Sequence, residues 1–222
     1  GSHSLIYGST RDHLLEAEVV LSDGSKTVLK GLSSKEVNDK VNESSLEGRI
    51  YKQITTLLSD IKNQNEIVQS YPDVSLKRRN SGYAIDELLR TDYFDKNSTQ
   101  QFNLCKLLAG SEGTLAFATE LKLNLVPLPP AEKAVICVHC STLEESFAAN
   151  LVALRHKPVA VELMDNNILQ LSKQNIAQNK NRFFVKGDPA AILIIELAEE
   201  TKEAVDKKAD EIEEDLKLHR YG

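Results

Sequence analysis

Long apolar runs are missing from this 222-residue chain; the longest, such as AAILII at 190–195, reach only the length of a strand. A membrane-spanning helix needs about 20 such residues, so the sequence predicts none. Blocks of five or more like charges are missing too. With a net charge of −6 and a pI near 5.5, no field draws in a phosphate backbone, and nucleic acid is excluded as a partner. Cysteine occurs three times, an odd count that excludes a disulfide framework and favours a reducing compartment. No signal peptide is recognisable, and the chain reads as cytosolic. What remains is 41% hydrophobic and 27% charged, the composition of one large globular domain or two small ones.

The first clear pattern is LLEAEVVLSDGSKTVLKG, with two apolar runs around Asp23-Gly24, a dipeptide that readily takes the positive φ angles of a hairpin turn. From Glu43 the period changes. Ile50, Ile54, Leu57, Leu58 and Ile61 recur at helical steps and predict one buried helix face, with Asn42 or Ser44 as the cap. In VSLKRRNSGYAIDELLRTDYF the first half is basic and broken by Ser81-Gly82, and AIDELL predicts a short helix.

LLAGSEGTLAFATELKLNLVPLPP, at 107–130, carries the most regular strand signal. Leu115, Phe117, Leu121, Leu123 and Leu125 alternate with the polar Glu120, Lys122 and Asn124, which predicts a strand with one buried face. Pro127, Pro129 and Pro130 end it and mark a domain boundary near 130. Beyond them strands alternate with helices: AVICVHC, TLEESFAANLVALRH, VAVELM, DNNILQLSKQ, AAILIIEL and TKEAVDKKADEIEEDLKLH. Phe147, Leu151 and Leu154 share one face of the first helix, and Val205, Ala209, Ile212 and Leu216 share one of the last. Repeated helix after strand predicts a sheet covered on one face by helices, of the split βαβ kind.

Glycines at both ends of GSEGT allow backbone angles that other residues disfavour, so Gly110, Ser111, Glu112, Gly113 and Thr114 can form a concave turn. Its N–H groups would converge on an anion or carbonyl oxygens, and Ser111, Thr114 and Glu112 add polar groups. By the residues alone, a plain turn into a strand is the favoured reading of the pattern.

Four segments in order resemble the FAD-linked oxidoreductases of the vanillyl-alcohol oxidase, or PCMH, superfamily, in the branch that oxidises D-2-hydroxy acids such as D-lactate, glycolate and D-2-hydroxyglutarate. LLAGSEGTLAFATELKLNLVPLPP is similar to that family's GSEGTLG-strand-proline segment. SLIYGSTRDHLLEAEVVLSDGS matches its YG-x-T-x-D signature at Tyr7, Gly8, Thr10, Asp12, Val19, Val20, Leu21, Asp23 and Gly24; RRNSGYAIDELL resembles N-T-G-Y-D-L, and VAVELMD the A-x-E-x-M-D run. Ala116 and Ala84 depart from the pattern, standing for a glycine and an aspartate.

The resemblance implies an α+β fold: the second part of a PCMH-type FAD-binding domain over 1–130, then part of a ferredoxin-like split βαβ cap, or substrate, domain over 131–222. It implies that Gly110, Ser111, Glu112, Gly113 and Thr114 contact FAD mostly through backbone, and that Gly8, Ser9 and Asp12 belong to a second flavin loop. It also implies a basic residue for the substrate carboxylate, Arg78 or Arg79 of the Lys77-Arg78-Arg79 cluster, since a guanidinium binds carboxylates bidentately.

The family's glycine-rich pyrophosphate segment has no counterpart upstream of GSHSLIYG, whose first three residues read as a tag remnant or native tail. Its HGxGDGN-like metal and proton-abstraction motif is likewise missing. A fragment of an FAD-dependent oxidoreductase is therefore expected, with no catalytic residue or metal ligand assigned in it. The parent needs a small 2-hydroxy acid and an electron acceptor, and the truncated apolar face is expected to drive self-association. Retention of FAD by this piece alone is left open. The alternatives are a non-catalytic ligand-binding or assembly module on the same scaffold, and a flavin reductase acting on a nucleotide sugar; the hydroxy-acid signatures count against the second.

Competing signals read as structure. Cys137-Val-His-Cys140 has a metal-like spacing, but positions three apart on a strand point to opposite faces, and no second ligand pair follows. Cys105 reads as a small core residue and His13 as structural. His156 and His219 close helices, where a partly cationic ring suits the C-terminus. Asp165, beside Glu162, reads as the cap of the next helix.

Overall fold

The computed structural model describes residues 3–76, 78–79 and 82–222. Two compact units divide at Val126 and Pro127, and residues 3–6 belong with the second. Among the described residues no helix is long and apolar enough to cross a membrane.

Helices α1 (Ser4–Tyr7) and α2 (Thr10–His13) precede the hairpin of β1 (Leu14–Val20) and β2 (Lys26–Leu29). Its turn forms as the sequence predicts: the Gly24 N–H donates to the Leu21 carbonyl at 2.9 Å, and Asp23 accepts from the Ser25 N–H. Next come α3 (Ser34–Val41), α4 (Leu46–Ser59), α5 (Ile61–Ser70), α6 (Ile85–Leu89), α7 (Cys105–Leu108) and β3 (Phe117–Leu123). The antiparallel sheet has the order β2-β1-β3. A register shift between Leu14 and Glu16 lets Leu14 and Ala17, three positions apart, both face the core. There they meet Val19, Leu29, Val37, Tyr51, Leu58 and Phe102. Full burial of one such aliphatic side chain contributes about 1.5–3 kcal/mol.

The buried stripe of α4 differs from the expected one. Tyr51, Thr55 and Leu58 are buried, Ile50 and Ile54 pack beside them, and Leu57 and Ile61 are exposed. Asp60 starts a new helix by accepting from the Lys62 N–H, so Ile61 no longer continues the face of α4. The α4 cap is Ser45, which accepts from the Gly48 N–H at 3.0 Å, rather than Asn42 or Ser44.

Strand β3 has no buried face; all seven residues are exposed, Phe117 by 73%. It is an edge strand, and among the described residues of the first unit β1 is its one sheet neighbour. The alternation predicts one buried face and the structure shows none, because burial needs a second layer.

The second unit contains β4 (Glu132–Cys140), α8 (Leu143–Arg155), β5 (Ala160–Asp165), α9 (Asn166–Gln174), α10 (Ile176–Asn179), β6 (Ala191–Glu199) and α11 (Lys202–Leu218). Its sheet order is β4-β6-β5, with β6 antiparallel to both neighbours. β4-α8-β5 is thus a parallel crossover with a strand between, the predicted split βαβ arrangement. Helices α8 and α11 cover one face. Val205, Ile212 and Leu216 are buried with Leu193, Ile195 and Leu197, as the pattern of α11 predicts.

For α8 the expected face is the wrong one. Ser146, Ala149, Val152 and Ala153 are buried, whereas Phe147, Leu151 and Leu154 are exposed. Small side chains let the helix approach a sheet already filled by Leu193 and Ile195. Asp165 caps α9 by accepting from the Ile168 N–H at 2.9 Å.

Candidate functional site

Every residue singled out for cofactor or substrate contact lies in the first unit. Gly8, at φ 79°, turns the chain into Ser9, the N-cap of α2. The Ser9 N–H and hydroxyl donate to Asp12 Oδ2 at 2.6 and 2.9 Å, closing a capping box. A Cβ on Gly8 would meet that oxygen at 2.8 Å, so glycine is required by contact as well as by angle. Partial burial pushes the Asp12 pKa up, but the Ser9 hydrogen bonds and nearby Lys106 outweigh it and hold the carboxyl below its ordinary value. Asp12 shapes this loop through its carboxylate.

The GSEGT turn follows α7. Gly110, Glu112 and Gly113 have φ of 89°, 52° and 78°. Ser111 is buried, with its N–H on the Leu108 carbonyl at 3.0 Å. Thr114 donates its N–H (3.0 Å) and hydroxyl (2.6 Å) to the Ser111 carbonyl, and its hydroxyl also meets that of Tyr83 at 2.7 Å. Glu112 and Gly113 are exposed, and nothing lies within 4 Å of a Cβ built on Gly113. Among the described residues no acceptor takes up the N–H of either. Two adjacent free donors under open space, with no side chain on the glycine, fit a carbonyl or anionic oxygen of a ligand.

Arg11 joins the two loops, and sequence reasoning missed it. It is only 9% exposed. Its Nε donates to the carbonyls of Lys106 (3.1 Å) and Ala109 (3.2 Å), its Nη2 to Ala109 (3.1 Å) and its Nη1 to Arg79 (3.3 Å). Lys106 returns a bond from Nζ to the Arg11 carbonyl at 3.3 Å. The only signal was an arginine inside YGSTRD, and an arginine in a loop ordinarily reads as solvated.

Arg79 and Arg78 are placed differently from one another. Arg79 binds both oxygens of the buried Asp86, lies 3.5 Å from Glu87 and sits over the Tyr71 ring at 5.8 Å. Its fork is occupied, which corrects the expectation that it is free for a substrate carboxylate. Arg78 is exposed, and among the described residues it forms no ion pair. Lys77, and Asn80 and Ser81 of the NSGY segment, lie outside the described residues. Ser9, Arg11, Asp12, Arg79, Glu87 and Arg90 line a cavity of about 140 Å³ together with Val74 and Leu76.

Other titratable groups take structural roles. His13 bonds the Tyr7 carbonyl, and Cys105 donates to the Leu29 carbonyl at 3.3 Å. Cys140 is buried and Cys137 half-buried on β4. Burial pushes the thiols of Cys105 and Cys140 up to about 11, far from thiolate chemistry. His156 and His219 are the C-caps of α8 and α11 and both meet Asp215, at 2.9 and 3.3 Å. Among the described residues no group of histidines, cysteines and carboxylates is arranged to hold a metal.

Residues 129–219 match the family model of the FAD linked oxidases, C-terminal domain. Proteins named D-2-hydroxyglutarate dehydrogenase are similar along nearly the whole chain. That of Pantoea ananatis is 26% identical over 96% of it, that of Haemophilus influenzae 28% over 94%, and that of Escherichia coli 25% over 100%. The chain spans only 20%, 20% and 22% of these relatives' lengths, respectively. Among solved structures, an alkyldihydroxyacetonephosphate synthase aligns with all of this chain and 31% of its own, at 16% identity and a TM-score of 0.48.

Proposed function

We propose, from a chain whose residues 129–219 carry the FAD linked oxidase C-terminal domain, that it is part of an FAD-dependent oxidoreductase converting a small D-2-hydroxy acid to the 2-oxo acid. Of D-lactate, glycolate and D-2-hydroxyglutarate, the names of its relatives favour the last. The observation that carries the reading is the junction at Arg11, which brings together GSTRD and GSEGT, 95 residues and more apart in sequence.

The chemistry FAD supplies when bound is acceptance of the substrate's α-hydrogen as hydride, with later transfer of electrons to a second acceptor. The chain's own part is to bind and orient. Backbone N–H groups of Glu112 and Gly113 would hold the cofactor, with Gly110, Ser111 and Thr114 shaping the turn. Gly8, Ser9 and Asp12 form the facing loop, and Arg78 is the guanidinium available for the substrate carboxylate. No residue of this chain is assigned as the base that takes the hydroxyl proton. The exposed face of β3 supports self-association of the chain as it stands, and three free cysteines support a cytosolic location.

The test is to incubate the chain with FAD, remove free ligand and record the visible spectrum, then repeat with a version extended to the relatives' length and add each hydroxy acid anaerobically. Retained flavin bleached by D-2-hydroxyglutarate supports the proposal. Flavin retained but bleached by none of the three makes this a binding module on the same scaffold. Failure of both versions to retain flavin overturns the reading.

A further inference from the structure

We propose that Arg11 is the positioning residue that sets the Gly110–Thr114 turn against the Gly8–Asp12 loop, so that the two present one ligand-binding surface. The identity of that ligand rests on the flavin reading above; the positioning itself does not.

Arg11 is a buried cation with no carboxylate among its described partners. Its charge is met by backbone carbonyl oxygens alone, those of Lys106, Ala109 and Arg79. Burying an unpaired charge costs several kcal/mol, roughly, unless good hydrogen bonds compensate, and a core could be filled more cheaply by a hydrophobic side chain. Position explains what packing does not. The carbonyl of Ala109 immediately precedes Gly110, and it accepts from both Nε and Nη2, so the fork fixes the orientation of the peptide that leads into the turn. From the same guanidinium, Nη1 reaches the carbonyl of Arg79, 68 residues from Arg11. Arg11 itself follows Thr10 on α2, whose first turn is set by the Ser9–Asp12 capping box. One rigid planar group thus joins the residues that lead into the GSEGT turn, the GSTRD loop and Arg79. An ammonium, a single point of charge with no fork, cannot hold these diverging directions together.

Gly110 is the counterpart of this arrangement. A Cβ there would meet Arg11 Nη2 at 2.7 Å, so the guanidinium sits where a side chain would be. The glycine serves close approach as well as its φ of 89°.

The experiment is amide hydrogen exchange on the ligand-free chain with Arg11→Lys and Arg11→Gln. Ser111 and Thr114, whose N–H groups are internally bonded, should exchange at least about ten-fold faster in both variants, while Val19 in β1 keeps its protection. Wild-type exchange at Ser111 and Thr114 in either variant overturns the proposal, and so does equal acceleration at Val19, which would make Arg11 a residue of the fold at large. Should the variants not fold, Gly110→Ala replaces them: it should accelerate Ser111 and Thr114 selectively, and unchanged exchange overturns the proposal. FAD affinity, measured alongside, separates the two readings. Selective loosening, with FAD taken up neither by this chain nor by the version extended to the relatives' length, leaves the positioning role standing and removes the flavin reading. FAD binding with unaltered exchange does the reverse.

Discussion

Arg79 and Asp86 form a two-pronged ion pair in the first unit, and the carboxylate is only 3% exposed. Arg90 adds a third contact to Asp86, at 2.9 Å. This pair removes Arg79 from the groups available to a substrate and anchors the segment whose carbonyl receives Arg11.

Removing the carboxylate leaves Arg79, 13% exposed, without its two hydrogen-bonded contacts and with Glu87 at 3.5 Å in their place. Asp86→Ala should therefore lower stability by about 3 kcal/mol, whereas Arg90→Ala, at a more exposed position, should cost less than about 1 kcal/mol. With no tryptophan in the chain, urea unfolding followed by far-UV circular dichroism is the suitable readout. Equal costs for the two variants would contradict the assignment.

Gly113 combines a left-handed φ of 78° with open space around it. Gly113→Ala should cost about 1–2 kcal/mol in stability through backbone strain alone. On the proposed flavin reading it should also weaken FAD uptake by more than that strain accounts for, because the new methyl would occupy the open side of the turn. Titration with FAD, compared with the unfolding midpoint, separates the two effects. Unchanged uptake would remove the turn from the site.

Asp215 is held below the usual carboxylate value of 3.8, first by the hydrogen bond to His156, against a burial penalty, with further help from the charge of His219. A carboxyl depressed in the fold stabilises it above 3.8, and that contribution disappears as the pH falls through its folded value. The stability difference between the parent chain and Asp215→Asn should thus be present at neutral pH and vanish in acid. A difference that persists unchanged into acid would show that the clasp of α8 to α11 does not depend on this carboxylate.

Thiol chemistry should follow burial. Cys137 is half-buried, whereas Cys105 and Cys140 are buried with thiols pushed up to about 11. Titration with a disulfide reagent at neutral pH should modify Cys137 first and the other two only on unfolding. Rapid reaction of all three in the folded chain would be inconsistent with this packing.

Strand β3 should mediate self-association. Antiparallel pairing of two copies about Leu121 sets Glu120 opposite Lys122 of the second copy and Phe117 opposite Leu125, so charge and apolar character both match. Light scattering should show a mass that rises with concentration, and Leu121→Lys should abolish the rise. A clean monomer at every concentration would sink this prediction.

Much of the local structure was legible in the residues. Asp23-Gly24 announced the hairpin, AIDELL the short helix, Asp165 the cap of α9 and the strand–helix order the split βαβ sheet, because turns, caps and periodicity act over a few positions. GSEGT could be recognised as a glycine-bracketed turn on the same basis, whereas YGSTRD stood out through the family resemblance alone. The failures share a cause. Phe147, Leu151 and Leu154, like the apolar residues of β3, have the spacing of a buried face, yet a face is buried only if another element arrives to cover it. On α8 the small side chains of Ala149 and Ala153 fit closer to the sheet, and on β3 no described element of the first unit packs over the strand. Arg11 drew no reading from the sequence, and Arg79 read as one of two guanidinium candidates for a substrate carboxylate. Tertiary packing alone decided that one binds the carbonyls flanking a turn and the other a buried carboxylate, because a guanidinium's partners are set by which distant backbone and carboxylate oxygens the fold brings within about 3 Å.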